Sequence, residues 1–119
     1  MHYSILIYAV DGIFERLTEE QQEAALQKHR DLQAKLTEEG RLGAVAKLMA
    51  TSAAMTVRSQ GQSVVVLDGP FAETKEQLLG FYVVECDSIE DAIEAAKQLP
   101  QGIAAMEVRP IAWLGGPGS

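Results

Sequence analysis

The run YSILIYAV, Tyr3 to Val10, carries apolar side chains on both of its alternating sets: Tyr3, Ile5, Ile7 and Ala9 on one, Leu6, Tyr8 and Val10 on the other. A strand of that kind sits inside a sheet and needs cover on both faces. GFYVVEC, Gly80 to Cys86, repeats the demand, with Phe81 and Val83 on one side and Tyr82, Val84 and Cys86 on the other. Only two segments of the chain read as helices, so the cover has to be shared out among few elements.

The first helix opens at Thr18, with Gln21 three residues on in the capping-box position and Glu19 and Glu20 where a first turn favours negative charge. It is expected to run to about Glu39, with Gly40 as its C-cap. The second starts at Ser88, sets Ile89, Ala92, Ile93 and Ala96 on one face, and stops before Pro100. Strands are expected at LGAVAKLM, at TVRSQ and SVVVLD as a hairpin around Gly61, at GFYVVEC and at MEVRPIAW. The order is that of an α+β fold, a ferredoxin-like split βαβ with an inserted hairpin. Both helices of that arrangement pack on one face of the sheet. A second copy of the sheet is the simplest cover for the other face, which predicts a homodimer packed sheet to sheet.

At 119 residues the chain makes one domain, expected over residues 1–114, with 115–119 as a flexible tail. Its formal net charge of −7 repels phosphate backbones and anionic lipid surfaces, so neither nucleic acid nor membrane is an expected partner. The N-terminal apolar run lacks a basic leader, and no stretch approaches the ~18 apolar residues of a membrane span. The single cysteine, Cys86, allows no disulfide within the chain. A lone thiol in an apolar run suits a reducing compartment, so the expected location is cytoplasmic.

His29 lies four residues after Ala25, three before Leu32 and seven before Leu36, in the middle of the apolar stripe of the first helix. Its imidazole is expected to point inward, either as a core histidine satisfied by a backbone carbonyl or as a functional group. Asp68 ends the strand SVVVL and opens the turn Asp68-Gly69-Pro70-Phe71. A carboxylate reaching a ring nitrogen of His29 would fix its tautomer and leave the other nitrogen as a general base or acid. Turn chemistry alone explains Asp-Gly-Pro as well, with Asp68 as an Asx-turn acceptor. Gly69 lets a ligand approach closely, Pro70 stiffens the turn, and Phe71 is a wall of a pocket or a plug at the sheet end. Glu73, Thr74, Lys75 and Glu76 read as a solvated helical turn. Arg109 in EVRPI is the residue type that an anion requires, although one arginine on a strand more often pairs with an acid; Arg58 and Lys47 read the same way.

Other constellations fail. One cysteine and two histidines cannot supply the ~4 ligands of a structural zinc, so no metal site is expected. The hydrolase elbow, the P-loop and the dinucleotide fingerprint are missing, and no cofactor is expected. Cys86 has no basic neighbour in sequence to activate it and reads as a structural thiol.

The signature DGPFAETKE, together with ILIY, KHRDLQAKLTEEGRL, TVRSQGQSVVVLDGPFAETKEQLLGFYVVE, DSIEDAIEAAKQLP and EVRPI, resembles the YCII-related family, in particular its DGPF-motif branch. The resemblance runs nearly end to end. It implies a dimeric α+β barrel, and a histidine and motif aspartate side by side in a cleft, positions that fall here on His29 and Asp68. Members of that branch are often encoded near extracytoplasmic-function sigma factors, a matter of neighbourhood and not of a demonstrated site. Two functions stay open. One is a cofactor-independent acid–base enzyme of isomerase, lyase or hydrolase type acting on a small polar or aromatic metabolite, with His29 and Asp68 as catalytic pair and Gly69, Pro70, Phe71 and Arg109 on the substrate. The other is a non-catalytic ligand-binding or regulatory protein associated with sigma-factor-dependent transcription.

Overall fold

The computed structural model describes residues 1–117. Of the tail expected at 115–119, residues 118 and 119 lie outside that range. The elements run β1 (His2–Val10), α1 (Glu19–Glu38), β2 (Leu42–Lys47), β3 (Met55–Gln60), β4 (Ser63–Asp68), β5 (Glu76–Glu85), α2 (Ile89–Lys97) and β6 (Ala105–Pro110). Four strands form an antiparallel sheet in the order β2-β5-β1-β6, which is the ferredoxin-like arrangement. The fold is α+β, as the strand periodicity required.

Both helix starts are built as their sequences specify. Thr18 accepts from the Gln21 amide while the Gln21 side chain accepts from the Thr18 amide, and Ser88 caps α2 through the Asp91 amide. α1 buries Ala25, Leu32 and Leu36, and α2 buries Ala92, Ala95 and Ala96, small side chains that let the helix lie close to the sheet. Leu32, Leu36 and the three alanines of α2 meet Tyr3, Ile5, Tyr82 and Val84 from the two central strands, with Cys86 just beyond β5 and Leu99 in the same cluster. Glycines set how closely β2 approaches β5. A Cβ on Gly80 would stand 2.8 Å from the Ala46 carbonyl oxygen, and one on Gly43 would stand 2.8 Å from that of Val83.

The opposite face of the sheet carries Leu6, Tyr8, Phe81 and Val83, all only half-buried, ringed by polar pairs such as His2–Glu85 and Glu107–Arg109. β3 and β4 depart from a simple extension of this sheet: they form a two-stranded sheet of their own. Met55, Val57, Val64 and Val66 project from one side of that hairpin into solvent, Val57 and Val64 at 69 % exposure. A two-stranded hairpin is marginal when it stands alone.

The structure departs from the sequence reading in several places: β2 stops at Lys47 rather than Met49, and β5 begins at Glu76 rather than Gly80. The last strand stops at Pro110 rather than running on to Trp113: one more hydrogen bond, from the Ile111 amide to the His2 carbonyl at 2.9 Å, brings it to the start of β1, where its partner ends. The segment Glu73–Glu76 is not a helical turn. Its Thr74 hydroxyl donates to the Glu76 carbonyl and the Gln77 amide group donates to the carbonyls of Ala72 and Thr74, so side chains satisfy an irregular backbone that enters β5 at Glu76. Ile93, expected on the buried face of α2, is partly exposed, and Ala95 is buried there instead.

Candidate functional site

α1 lies across β5, and the 3.6-residue period that buries Ala25, Leu32 and Leu36 carries His29 to the sheet between them. β5 sends Tyr82 up from the same face as Val84. The two rings stack with centroids 5.8 Å apart and 22° between their planes. His29 Nδ1 stands 2.8 Å from Tyr82 Oη, and Gln33, one turn further along α1, donates from Nε2 to the same Oη at 3.1 Å.

With Gln33 as the donor to Tyr82, counting protons gives this network a direction. Tyr82 Oη already accepts from Gln33, and burial pushes its pKa up, so the phenol keeps its one proton. If His29 also donated to it, that phenolic proton would have no acceptor among the described residues. The arrangement that satisfies every group has Tyr82 donating to Nδ1. His29 is then neutral with its proton on Nε2. Burial, and then the charge of Lys47, hold the His29 pKa below its ordinary 6.5, which agrees with a neutral ring. No hydrogen bond is made by Nε2 among the described residues, and none of their buried side-chain nitrogens or oxygens lacks a partner, so Nε2 opens onto accessible space.

His29 also lines a cavity of about 270 Å³ between α1, the sheet and the chain that follows α2. Its walls are apolar: Ile7, Ala9, Phe14, Leu26, Val45, Leu79, Leu99, Ile103 and Met106. Gly80 forms part of the floor, and Lys47 on β2 stands at the rim with its ammonium 4.9 Å from the centre of the Phe14 ring. A cavity of ~150 Å³ already admits benzene, so this one has room for a single ring with substituents. A larger hollow of about 500 Å³ lies between the end of α1 and α2, but it is walled by charged side chains such as Lys35, Glu39, Arg41 and Glu94, and Arg41 is tied up by Asp87.

The site residues expected from sequence divide. His29 lies in the cavity wall. Asp68 does not join it: the carboxylate sits on the exposed end of β4, and no hydrogen bond or ion pair connects it with His29 among the described residues. The expected orienting partner is replaced by Tyr82, because β3 and β4 leave the main sheet and carry the turn away with them. Gly69 adopts φ +92°, donates to the Ala54 carbonyl and accepts from the Thr56 hydroxyl, and Arg58 donates to the Phe71 carbonyl; the turn is pinned to β3. Pro70 is half-buried there, and the Phe71 ring is 77 % exposed. Arg109 pairs with Glu107 on β6 and does not line the cavity. Tyr82 and Gln33 escaped the sequence reading. The signal for Tyr82 was its place on the inward set of β5, and for Gln33 its place one turn after His29.

Among the described residues no group of three or more histidine, cysteine or acidic side chains is arranged to hold a metal ion, and no helix is long and apolar enough to cross a membrane. The YCII-related domain matches residues 1–113. An uncharacterised protein of Rhizobium meliloti (strain 1021) is 40 % identical over 115 residues, which cover 94 % of this chain and 93 % of that protein.

Proposed function

The chain belongs to the YCII-related family, and from that premise we propose that it is a homodimeric small-molecule-binding protein whose site is the cavity under α1. The observation that carries this reading is a polar network in an apolar enclosure, Gln33 to Tyr82 to His29. Apolar walls with a few convergent polar groups are the usual make-up of a ligand pocket. His29 acts here as a hydrogen-bond donor that holds and polarises an acceptor oxygen of the ligand. It is not poised as the general base expected of an Asp68-oriented ring, since Nε2 already carries its proton.

The homodimer follows from the half-buried apolar side chains on the open face of the sheet and the apolar side of the β3–β4 hairpin, which a second copy buries together. A cytoplasmic setting fits the lone buried thiol of Cys86. The test is a titration with acetophenone, a neutral ring bearing one acceptor, followed by amide and side-chain NMR. Saturable shifts are expected at His29, Tyr82, Gln33 and Leu26, weakened by His29→Phe. An absence of shifts there at millimolar probe, or shifts confined to the α1–α2 hollow, contradicts the reading.

A further inference from the structure

We propose that Lys47 is the anchor for an acid group and that the cavity takes a compact, mostly apolar monoanion, such as an aromatic or branched-chain carboxylate. This rests on the cavity being the ligand site. Lys47 is the one permanently charged residue in the cavity wall, and no carboxylate lies within ion-pair distance of it among the described residues. Its ammonium rests instead over the Phe14 ring, a contact that holds the charge at the rim without neutralising it. Lys47 also shapes the ring opposite. After burial, its charge is the second influence that keeps His29 neutral.

Two side chains able to donate, of different kind, therefore line one apolar space: Lys47 and His29. A carboxylate accepts from both, and its charge strengthens the bond to the ammonium as a neutral carbonyl oxygen cannot. The number of charges is limited as well. A neighbouring cleft of about 230 Å³ shares Phe14, Lys47 and Leu79 with the cavity and is lined by Asp11 and Glu15, so a second negative group extending past Lys47 meets carboxylates. One anionic head and an apolar body satisfy the whole arrangement.

Benzoate and benzamide separate this claim from the one it rests on, since they share ring and size and differ in charge. Calorimetric or NMR titration of the full chain is expected to give benzoate tighter than benzamide by about fivefold, the range of an exposed ion pair. Lys47→Gln should abolish that preference, and Lys47→Arg should retain it. Equal affinities in the wild-type protein, or a preference that survives Lys47→Gln, would overturn the anchor and leave the cavity as a site for neutral ligands. Failure of both probes to bind would overturn the cavity as a ligand site and the anchor with it. Lys47 lies on an edge strand with its side chain exposed, and the wild-type comparison needs no variant at all.

Discussion

Tyr82→Phe removes a single oxygen and tests the network at its centre. That oxygen accepts from Gln33 at 3.1 Å and meets His29 Nδ1 at 2.8 Å, so its loss breaks two hydrogen bonds and leaves both partners to find water or go without. A neutral hydrogen bond contributes about 1 kcal/mol net, so the loss of two costs about 2 kcal/mol. With roughly 2.1 cal/mol/K of unfolding entropy per residue, a chain of this length loses about 8 °C in Tm. The interaction itself is isolated by a double-mutant cycle with His29→Phe, which keeps a ring to stack and removes Nδ1. The double variant is expected to cost about 1 kcal/mol less than the two single variants together, because each already sacrifices the shared bond. Urea unfolding at one fixed protein concentration measures all four corners. Costs that add to within ~0.3 kcal/mol would refute the bond, and the proton assignment would go with it.

Three further expectations follow from the same geometry. Because the His29 pKa is lowered in the fold, the folded chain binds fewer protons than the unfolded one; stability is full above about 6.5 and falls as the pH drops through 6.5 toward the depressed folded value. The difference in urea midpoint between pH 8 and pH 5.5 should shrink in His29→Phe, and an unchanged difference would remove the ring as its source. Gly80→Ala drives a Cβ to 2.8 Å from the Ala46 carbonyl oxygen, and a loss of about 1–3 kcal/mol with faster amide exchange in β2 is expected; a neutral substitution would contradict the close approach. Light scattering should give twice the chain mass, and Val57→Asp with Val66→Asp should shift the population toward the monomer, whereas a wild-type monomer at micromolar concentration would contradict the dimer.

The two-faced strands, the helix caps and the inward placement of His29 were legible in the sequence because each is set by local periodicity or by residues three or four apart. The partner of His29 was not. Tyr82 reads as one inward residue of β5 among several, and which of them meets α1 depends on how the helix crosses the sheet, a tertiary quantity that no spacing encodes. Asp68 misled for a related reason. Alternation marks SVVVLD as a strand without saying which sheet it joins, and its pairing with β3 alone carries the carboxylate away from the helix. Arg109 and Glu107, two residues apart on one face of β6, show the opposite case: their pairing is a local consequence of the strand period.

The proton on His29 is the most direct measure of the account. Long-range 1H–15N correlation of the imidazole at pH 8, in wild type and in Asp68→Asn, reads both ring nitrogens without disturbing the fold. The network predicts a pyridine-like Nδ1, accepting from Tyr82, and a pyrrole-like Nε2–H, with identical spectra and titration in Asp68→Asn. A proton on Nδ1 together with a tautomer or pKa that changes in Asp68→Asn would place Asp68 beside the ring and contradict the network.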